Sequence, residues 1–137
     1  MRLLPRQVLL LLALLLAATE PETSNLAKTE LEWDRRVALG VVMAAHGYPG
    51  TVRRGDIIRG LKADKPHAMV FHAGTVSPPP GQGGKGEVLS AGGRVLCVTA
   101  LGHTVKEAQK HAYEIADGIS FAGAQFRTDI GFRAIKS

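Results

Sequence analysis

Apolar residues in this chain form short runs separated by turn-forming residues, and the two longest of the later runs predict strands. Residues 37–45 are almost wholly apolar and end at a His-Gly pair, so we expect a buried strand stopped by a turn. Residues 95–101 (VLCVTAL) are the strongest strand candidate, and their nearly unbroken apolar character predicts burial on both faces of a sheet. Shorter runs at 57–61 and 69–72 predict two further short strands.

One helix is predicted near the C-terminal end of the chain. Thr104 and Glu107 have the spacing of a capping box, and apolar residues then recur at helical spacing to about Gly118. Residues 121–135 mix phenylalanine, isoleucine and glycine, which predicts one or two strands or bends. Residues 77–86 contain three prolines and four glycines, which predicts a flexible surface loop. The whole pattern predicts an α+β fold, a small mixed or antiparallel sheet with one C-terminal helix.

The beginning of the chain fits two different structures. Residues 1–19 carry two arginines and an unbroken apolar run from Val8 to Ala18, which is the outline of a secretory signal peptide. Eleven apolar residues are too few to cross a bilayer as a helix, so we expect no membrane anchor. The other interpretation is a buried apolar helix that begins after Pro5. A polar linker follows, and the predicted boundaries are 1–30 for the helix and linker and 31–137 for the compact domain.

The net charge of +5 lies entirely after residue 30, because residues 1–30 contain three basic and three acidic side chains. A basic surface attracts phosphate groups, whether they belong to nucleotides, sugar phosphates or nucleic acids. The seven aromatic residues are scattered and do not alternate with a basic stripe. We therefore expect no nucleic-acid partner.

Cysteine and histidine form no pattern typical of a reactive or metal-binding site. The single cysteine, Cys97, excludes an intramolecular disulfide and suits a reducing compartment, and its apolar neighbours predict a small buried hydrophobe. The five histidines lack the HExxH and HxxxH spacings, and His72 is predicted to be a hydrogen-bonded core residue. No serine-nucleophile motif is present. The sequence thus assigns no catalytic residue and no metal ligand to this chain.

Five blocks of sequence, in order, resemble the glycinamide ribonucleotide synthetase family, the ATP-dependent phosphoribosylamine–glycine ligases of purine synthesis. The similarity covers about residues 30–137, which correspond to the family's C-terminal domain. The family usually has glycine where His46 stands and an acidic residue where Thr51 stands, and its loop is shorter than the one at 77–88. The blocks are GVVMAAHGYPG (40–50), RRGDIIRGL (53–61), VFHAGT (70–75), GGRVLCVTALG (92–102) and RTDIGFRAI (127–135).

The resemblance implies a place for this domain in a larger enzyme. Members of the family share an ATP-grasp architecture, and their C-terminal domain packs against the ATP-grasp core and helps to close the active site. The full-length enzymes use ATP and Mg²⁺ to activate the carboxylate of glycine for attack by phosphoribosylamine. Their nucleotide and metal residues lie upstream of the matching region, so we expect this chain alone to bind neither ATP nor Mg²⁺. The resemblance also favours the helix interpretation of residues 9–18, as a remnant of the ATP-grasp core.

Arg94, which follows two glycines at the mouth of a predicted strand, is the first candidate for contact with the 5-phosphate of the substrate. A structural ion pair between Arg94 and Asp129 is the alternative. Asp129 could also pair with Arg133 and tie down the last block. The other substrate-binding candidates are Tyr48, Pro49, Gly50, Arg53 and Arg54. For the two arginines, the alternative is a solvated position on the surface.

Three functions follow from these interpretations. The first is a cytoplasmic part of the ligase, inactive alone, with phosphoribosylamine and glycine as substrates and the missing ATP-grasp core as a partner. The second is a non-catalytic binding or assembly module. The third is a small secreted basic protein, which requires residues 1–19 to act as a signal peptide.

Overall fold

A computed structural model describes residues 34–135, apart from 63, 64, 80, 82 and 85. The compact unit that holds every named element begins at Arg36. The predicted N-terminal helix, the signal-like run and the linker lie outside the described residues. No helix within the described residues is long and apolar enough to cross a membrane.

A three-stranded antiparallel sheet and one long helix make up the domain, which confirms the predicted α+β class. The sheet has the order β1-β5-β2, so the strand that comes last in the chain lies at the centre. A two-stranded ladder pairs β3 with β4. The elements are β1 (Val37–Ala44), β2 (Ala68–His72), β3 (Thr75–Val76), β4 (Leu89–Ser90), β5 (Arg94–Gly102), α1 (Val105–Ala116) and α2 (Phe132–Ile135).

The core lies between one face of this sheet and α1. Val98, at the middle of β5, stands opposite Val41 of β1 and Val70 of β2, and its side chain is fully buried. Alternate residues of the strands point to this face, as the two-residue period of a strand requires. The helix contributes the small side chains of Ala108, Ala112 and Ala116, all fully buried. Four-residue spacing puts these alanines on one stripe of α1 and brings the helix backbone close to the sheet.

The other face of the sheet, here called the open face, is partly exposed. Val42 is 43% exposed and Phe71 is 49% exposed, while Cys97 is half-buried with its Sγ 3.6 Å from Thr99 Oγ1. The prediction that β5 is buried on both faces is therefore wrong, and Cys97, predicted to be a small buried hydrophobe, is half-buried. The reason is that α1 covers one face alone. The residues that define the open face are Gly40, Val42, Met69, Phe71, Cys97 and Thr99.

The predicted capping residues begin α1, with one difference from a standard capping box. Thr104 Oγ1 accepts a hydrogen bond from the backbone N–H of Glu107 at 3.1 Å. The Glu107 carboxylate accepts the backbone N–H of His103 at 2.7 Å, one residue before the cap. This bond stabilises the charged carboxylate and lowers the pKa of Glu107 below its ordinary value. The helix ends at Ala116, close to the predicted end.

Two of the weaker apolar runs form no strand, and one histidine is not in the predicted place. Residues 57–61 make single bridges, from Ile57 to Leu89 and from Arg59 to Ser120, where a strand was expected. Residues 121–135 form turns, one bridge and the short helix α2. His72 is exposed at the end of an edge strand, with Nδ1 3.0 Å from Thr75 Oγ1, so the prediction of a core histidine is wrong.

The proline- and glycine-rich loop connects β3 to β4. Its described residues contain neither strand nor helix. The two-residue ladder at its base was not predicted, because Thr75–Val76 and Leu89–Ser90 are too short to give a periodic signal. The ladder makes the loop a long hairpin connection.

Candidate anion-binding cleft

A tight turn follows β1 and directs Tyr48 outward. Gly47 has a φ of +89°, and a Cβ at this position would overlap the backbone carbonyl of Thr51. The Gly50 N–H donates to the Gly47 carbonyl at 2.8 Å, and the Arg53 N–H donates to the His46 carbonyl at 3.0 Å. These bonds close the turn, which includes a cis Tyr48–Pro49 peptide.

Tyr48 packs on the backbone just before Arg94. A Cβ added to Gly93 would lie 2.8 Å from Tyr48 Cδ2, so the ring occupies the space that a side chain would need. The Gly93 carbonyl also accepts the Ala45 N–H at 2.8 Å, which ties the end of β1 to the start of β5. The two sequence blocks that contain Tyr48 and Arg94 thus meet in space.

Arg94 begins β5 with an exposed side chain. The part of the chain that the structure describes offers it no side-chain hydrogen bond or ion pair. Asp129, the alternative partner considered for it, instead bonds Arg127, so the predicted Arg94–Asp129 ion pair is wrong. The Arg94 guanidinium, unpaired among the described residues, is therefore a candidate for contact with a ligand.

A cleft of about 450 Å³ lies beside Arg94, on the open face next to the β1 edge. Its floor is the small or apolar surface of β1. Two arginines and a tyrosine stand at its walls, which suits an anionic ligand with an apolar or ring-shaped part. The lining residues are Gly40, Val42, Ala44, Tyr48, Arg94, Gln125, Phe126, Arg127 and Ile130.

The second wall comes from the last sequence block. Gln125 and Ala44 exchange backbone hydrogen bonds of 2.7 and 2.9 Å, which lays the segment alongside β1. Arg127 donates from Nε and Nη2 to the two carboxylate oxygens of Asp129, both at 2.8 Å. This bidentate bond lowers the pKa of Asp129 and raises the pKa of Arg127. Arg133 has only a weaker electrostatic effect on Asp129, so the predicted Asp129–Arg133 ion pair is wrong.

Arg127 and Gln125 were not among the predicted site residues. The available signal was the Arg-x-Asp spacing, because side chains two positions apart in an extended segment lie on the same side. The sequence did not indicate that this segment returns to β1, some eighty residues earlier, through the Ala44–Gln125 bridge.

The other predicted site residues lie outside the lining of this cleft. Pro49 and Gly50 are exposed in the turn after β1. Arg53 donates from Nε to Asp56 at 2.9 Å, and Arg54 is exposed. The structure therefore brings Arg94 and Tyr48 to the same cleft and leaves the remaining four outside its lining.

The donor groups among the described residues of this domain do not fit Mg²⁺. No group of three or more histidine, cysteine, aspartate or glutamate side chains among the described residues could hold a metal ion. Asp129 and Asp56 are each bonded to an arginine.

The sheet with one covered face and the arginine-lined cleft define a small α+β domain with a candidate binding cleft. The sequence matches the family described as "Phosphoribosylglycinamide synthetase, C domain" over residues 38–133. The chain therefore belongs to this family.

Curated relatives carry the name phosphoribosylamine–glycine ligase. The protein of Escherichia coli K12 is 51% identical over 127 residues, which is 92% of this chain and 28% of the relative. The protein of Ralstonia nicotianae is 51% identical over 107 residues, 78% of this chain and 24% of the relative. A crystal structure of the Thermotoga maritima ligase superposes with a TM-score of 0.60 at 33% identity, covering 74% of this chain and 24% of that one.

These comparisons confirm the family that the five sequence blocks indicated. The chain spans about a quarter of the length of the relatives that it matches. The matched region is the C domain.

Proposed function

We propose that this chain supplies the C domain of a ligase that joins phosphoribosylamine and glycine with ATP, giving glycinamide ribonucleotide, ADP and phosphate. The main support is the family match over residues 38–133, together with relatives that bear the ligase name. The chain corresponds to about a quarter of those relatives, so we propose that it has no ligase activity alone. The proposal includes a cytoplasmic location, where the unpaired Cys97 stays reduced.

Within this function, the cleft is proposed to bind the 5-phosphate of phosphoribosylamine through Arg94. The observation that carries this step is an exposed arginine at the mouth of a cleft with no partner among the described residues. A guanidinium presents paired N–H donors that match two phosphate oxygens. The Tyr48 ring, packed on Gly93, forms the adjoining wall and can contact the ribose.

ATP and Mg²⁺ would be held by the remainder of the ligase. The ATP requirement follows from the family, whereas the described residues of this chain offer no metal donor set. ATP would supply the energy that converts the glycine carboxylate into an acyl donor. This chain's own contribution is to bind and orient the phosphoribosyl substrate.

A titration with ribose 5-phosphate tests the assignment of the cleft. We expect the protein to bind ribose 5-phosphate and not ribose, and Arg94→Ala to weaken binding at least about tenfold, because a charge-assisted bond to phosphate is lost. Lys106→Ala is the matched control, since it removes an exposed positive charge from α1, on the other side of the sheet. Equal binding by the wild type and Arg94→Ala would contradict the assignment.

An assembly role is a second component of the proposal, supported by the open face of the sheet. Val42 and Phe71 expose much of their side chains on this face, and such surfaces mark sites of contact with another protein. The proposed occupant is the ATP-grasp core of the same ligase. Ligase activity in the chain alone would overturn the proposal of inactivity, and it is measured as ADP formed from ATP, glycine and phosphoribosylamine.

A further inference from the structure

Two side chains of α1 hold the wall of the cleft that carries Arg127. The Tyr113 hydroxyl donates to the Arg127 carbonyl at 2.7 Å and accepts the Ile130 N–H at 3.0 Å. Gln109, one turn earlier on the helix, donates from Nε2 to the Ile130 carbonyl at 2.8 Å. Residues 127–130 have no ladder of their own, so these three bonds fix the backbone from which the Arg127 side chain extends.

The bond to Asp129 fixes the guanidinium plane of Arg127 without using all of its donors. A guanidinium has five N–H groups, and Nε–H and one N–H of Nη2 are directed to Asp129. Three N–H groups remain, one on Nη2 and two on Nη1. The Arg127 side chain is 69% exposed and lines the same cleft as Arg94. A ligand in the cleft can therefore reach the free edges of both arginines.

We infer that Arg127, oriented by Asp129, is a second anion-binding residue of the cleft and that Tyr113 is a positioning residue for it. This inference rests on the proposed function of the cleft and names the ligand class, a phosphate monoester. Two guanidinium edges can bond three terminal oxygens of a phosphate at once, whereas a carboxylate has only two oxygens. Asp129 leaves Arg127 charged and fixes the direction of its guanidinium group. This favours a ligand that bonds to the free N–H groups of both Arg94 and Arg127.

Calorimetric titrations with ribose 5-phosphate distinguish the two roles. Arg127→Ala removes a charge and its donors, so we expect Kd to rise about tenfold or more and the dependence of Kd on salt to become weaker. Tyr113→Phe removes only the hydroxyl, so Kd is expected to rise several-fold with an unchanged salt dependence. Asp129→Asn keeps Arg127 but removes both its bidentate partner and a negative charge next to it, so the dependence of Kd on salt should become stronger, unlike in Tyr113→Phe.

Arg133→Ala is the control, because it removes an arginine from the same block that does not line this cleft. Its Kd should change less than about twofold. Thermal unfolding of each variant shows whether the fold is intact, and Arg127→Lys keeps the charge if Arg127→Ala unfolds. Arg127→Lys should still weaken binding, because lysine lacks the planar fork.

The outcomes separate this inference from the proposed function. If Arg94→Ala weakens ribose 5-phosphate binding and folded Arg127→Ala and Arg127→Lys do not, the second anion-binding residue is refuted while the cleft assignment stands. If acetate binds as tightly as ribose 5-phosphate, the ligand class is wrong. If the wild type binds no ribose 5-phosphate, both the assignment and the inference fail.

Discussion

Gly93 has no side chain, and the ring of Tyr48 occupies the space where one would lie. Tyr48 and Gly93 stand in separate sequence blocks, and the residues alone gave no reason for them to touch. The contact arises because the end of β1 bonds to the Gly93 carbonyl, next to the first residue of the central strand. A single missing Cβ thus lets the tyrosine ring pack on the backbone next to Arg94.

Replacing Gly93 by alanine should displace the ring. The new Cβ would lie 2.8 Å from Tyr48 Cδ2, closer than van der Waals contact, and the exposed ring can move. We expect ribose 5-phosphate binding to weaken about three- to tenfold, while the free energy of unfolding changes by about 1 kcal/mol or less. Calorimetry and urea unfolding measure the two effects.

Gly118→Ala is the matched control for this substitution. Gly118 has no positive φ, and its added Cβ would meet only an ordinary contact of 3.4 Å, away from the cleft. Unchanged ribose 5-phosphate affinity in Gly93→Ala would show that the position of Tyr48 is unimportant for binding.

The residues of the candidate site were predictable to different extents. Arg94 and Tyr48 could be named, because long sequence blocks surround them. Arg127 could not, because its place depends on the return of residues 125–130 to β1 and on the Tyr113 hydroxyl. The ion-pair partner of Asp129 was also wrongly assigned, since three arginines were available and the local Arg-x-Asp geometry decided among them.

At the scale of elements, a strong apolar periodicity was sufficient to predict a helix or a strand, whereas a weak one was not. β1, β5 and α1 were located to within a few residues, because their apolar patterns are long and Thr104 marks the start of the helix. Residues 57–61 are apolar too, yet they bond to scattered positions instead of one partner strand. Their pairing is decided by tertiary contacts, which a local pattern does not contain.

The start of α1 gives a prediction about pH. The His103 N–H lowers the pKa of Glu107, so the bond stabilises the folded state fully above the ordinary carboxyl value of 4.5 and is lost as the pH falls through the lowered pKa. We expect the His103 amide signal in ¹H–¹⁵N spectra to titrate with a midpoint below 4.5.

Glu107→Gln is the comparison for this titration, because it keeps an acceptor but removes the ionisable group. The acid transition of the His103 amide should disappear in the variant. A midpoint at or above 4.5 in the wild type would mean that the bond does not favour the charged carboxylate.

At the scale of the whole molecule, the open face distinguishes this domain from one in which both faces of the sheet are covered. The apolar pattern of β5 predicted that both faces of the sheet are covered, whereas in the structure one face is covered. An apolar strand in a sheet that is covered on one face leaves apolar surface partly exposed among the described residues. Such a surface suits contact with a partner protein.

The proposed docking surface can be tested by reconstitution with the Escherichia coli relative, expressed without the C-terminal region to which this chain aligns. We expect the chain to restore ligase activity to that core and Phe71→Glu to reduce the restored activity about tenfold or more, because a charge enters an apolar contact. Val76→Glu is the control, since Val76 is 50% exposed and Phe71 49%, but Val76 lies on the β3–β4 ladder. Equal activity of both variants would rule out the open face.

The strand order of the sheet also constrains how the domain folds during its synthesis. β1 and β2 each pair with β5 and not with each other, so neither has its main partner until residues 94–102 have been made. Pairing between such distant segments is slow compared with local contacts. While a ribosome translates the first two strands, their apolar side chains remain unpaired, and the whole sheet assembles only when its last strand emerges.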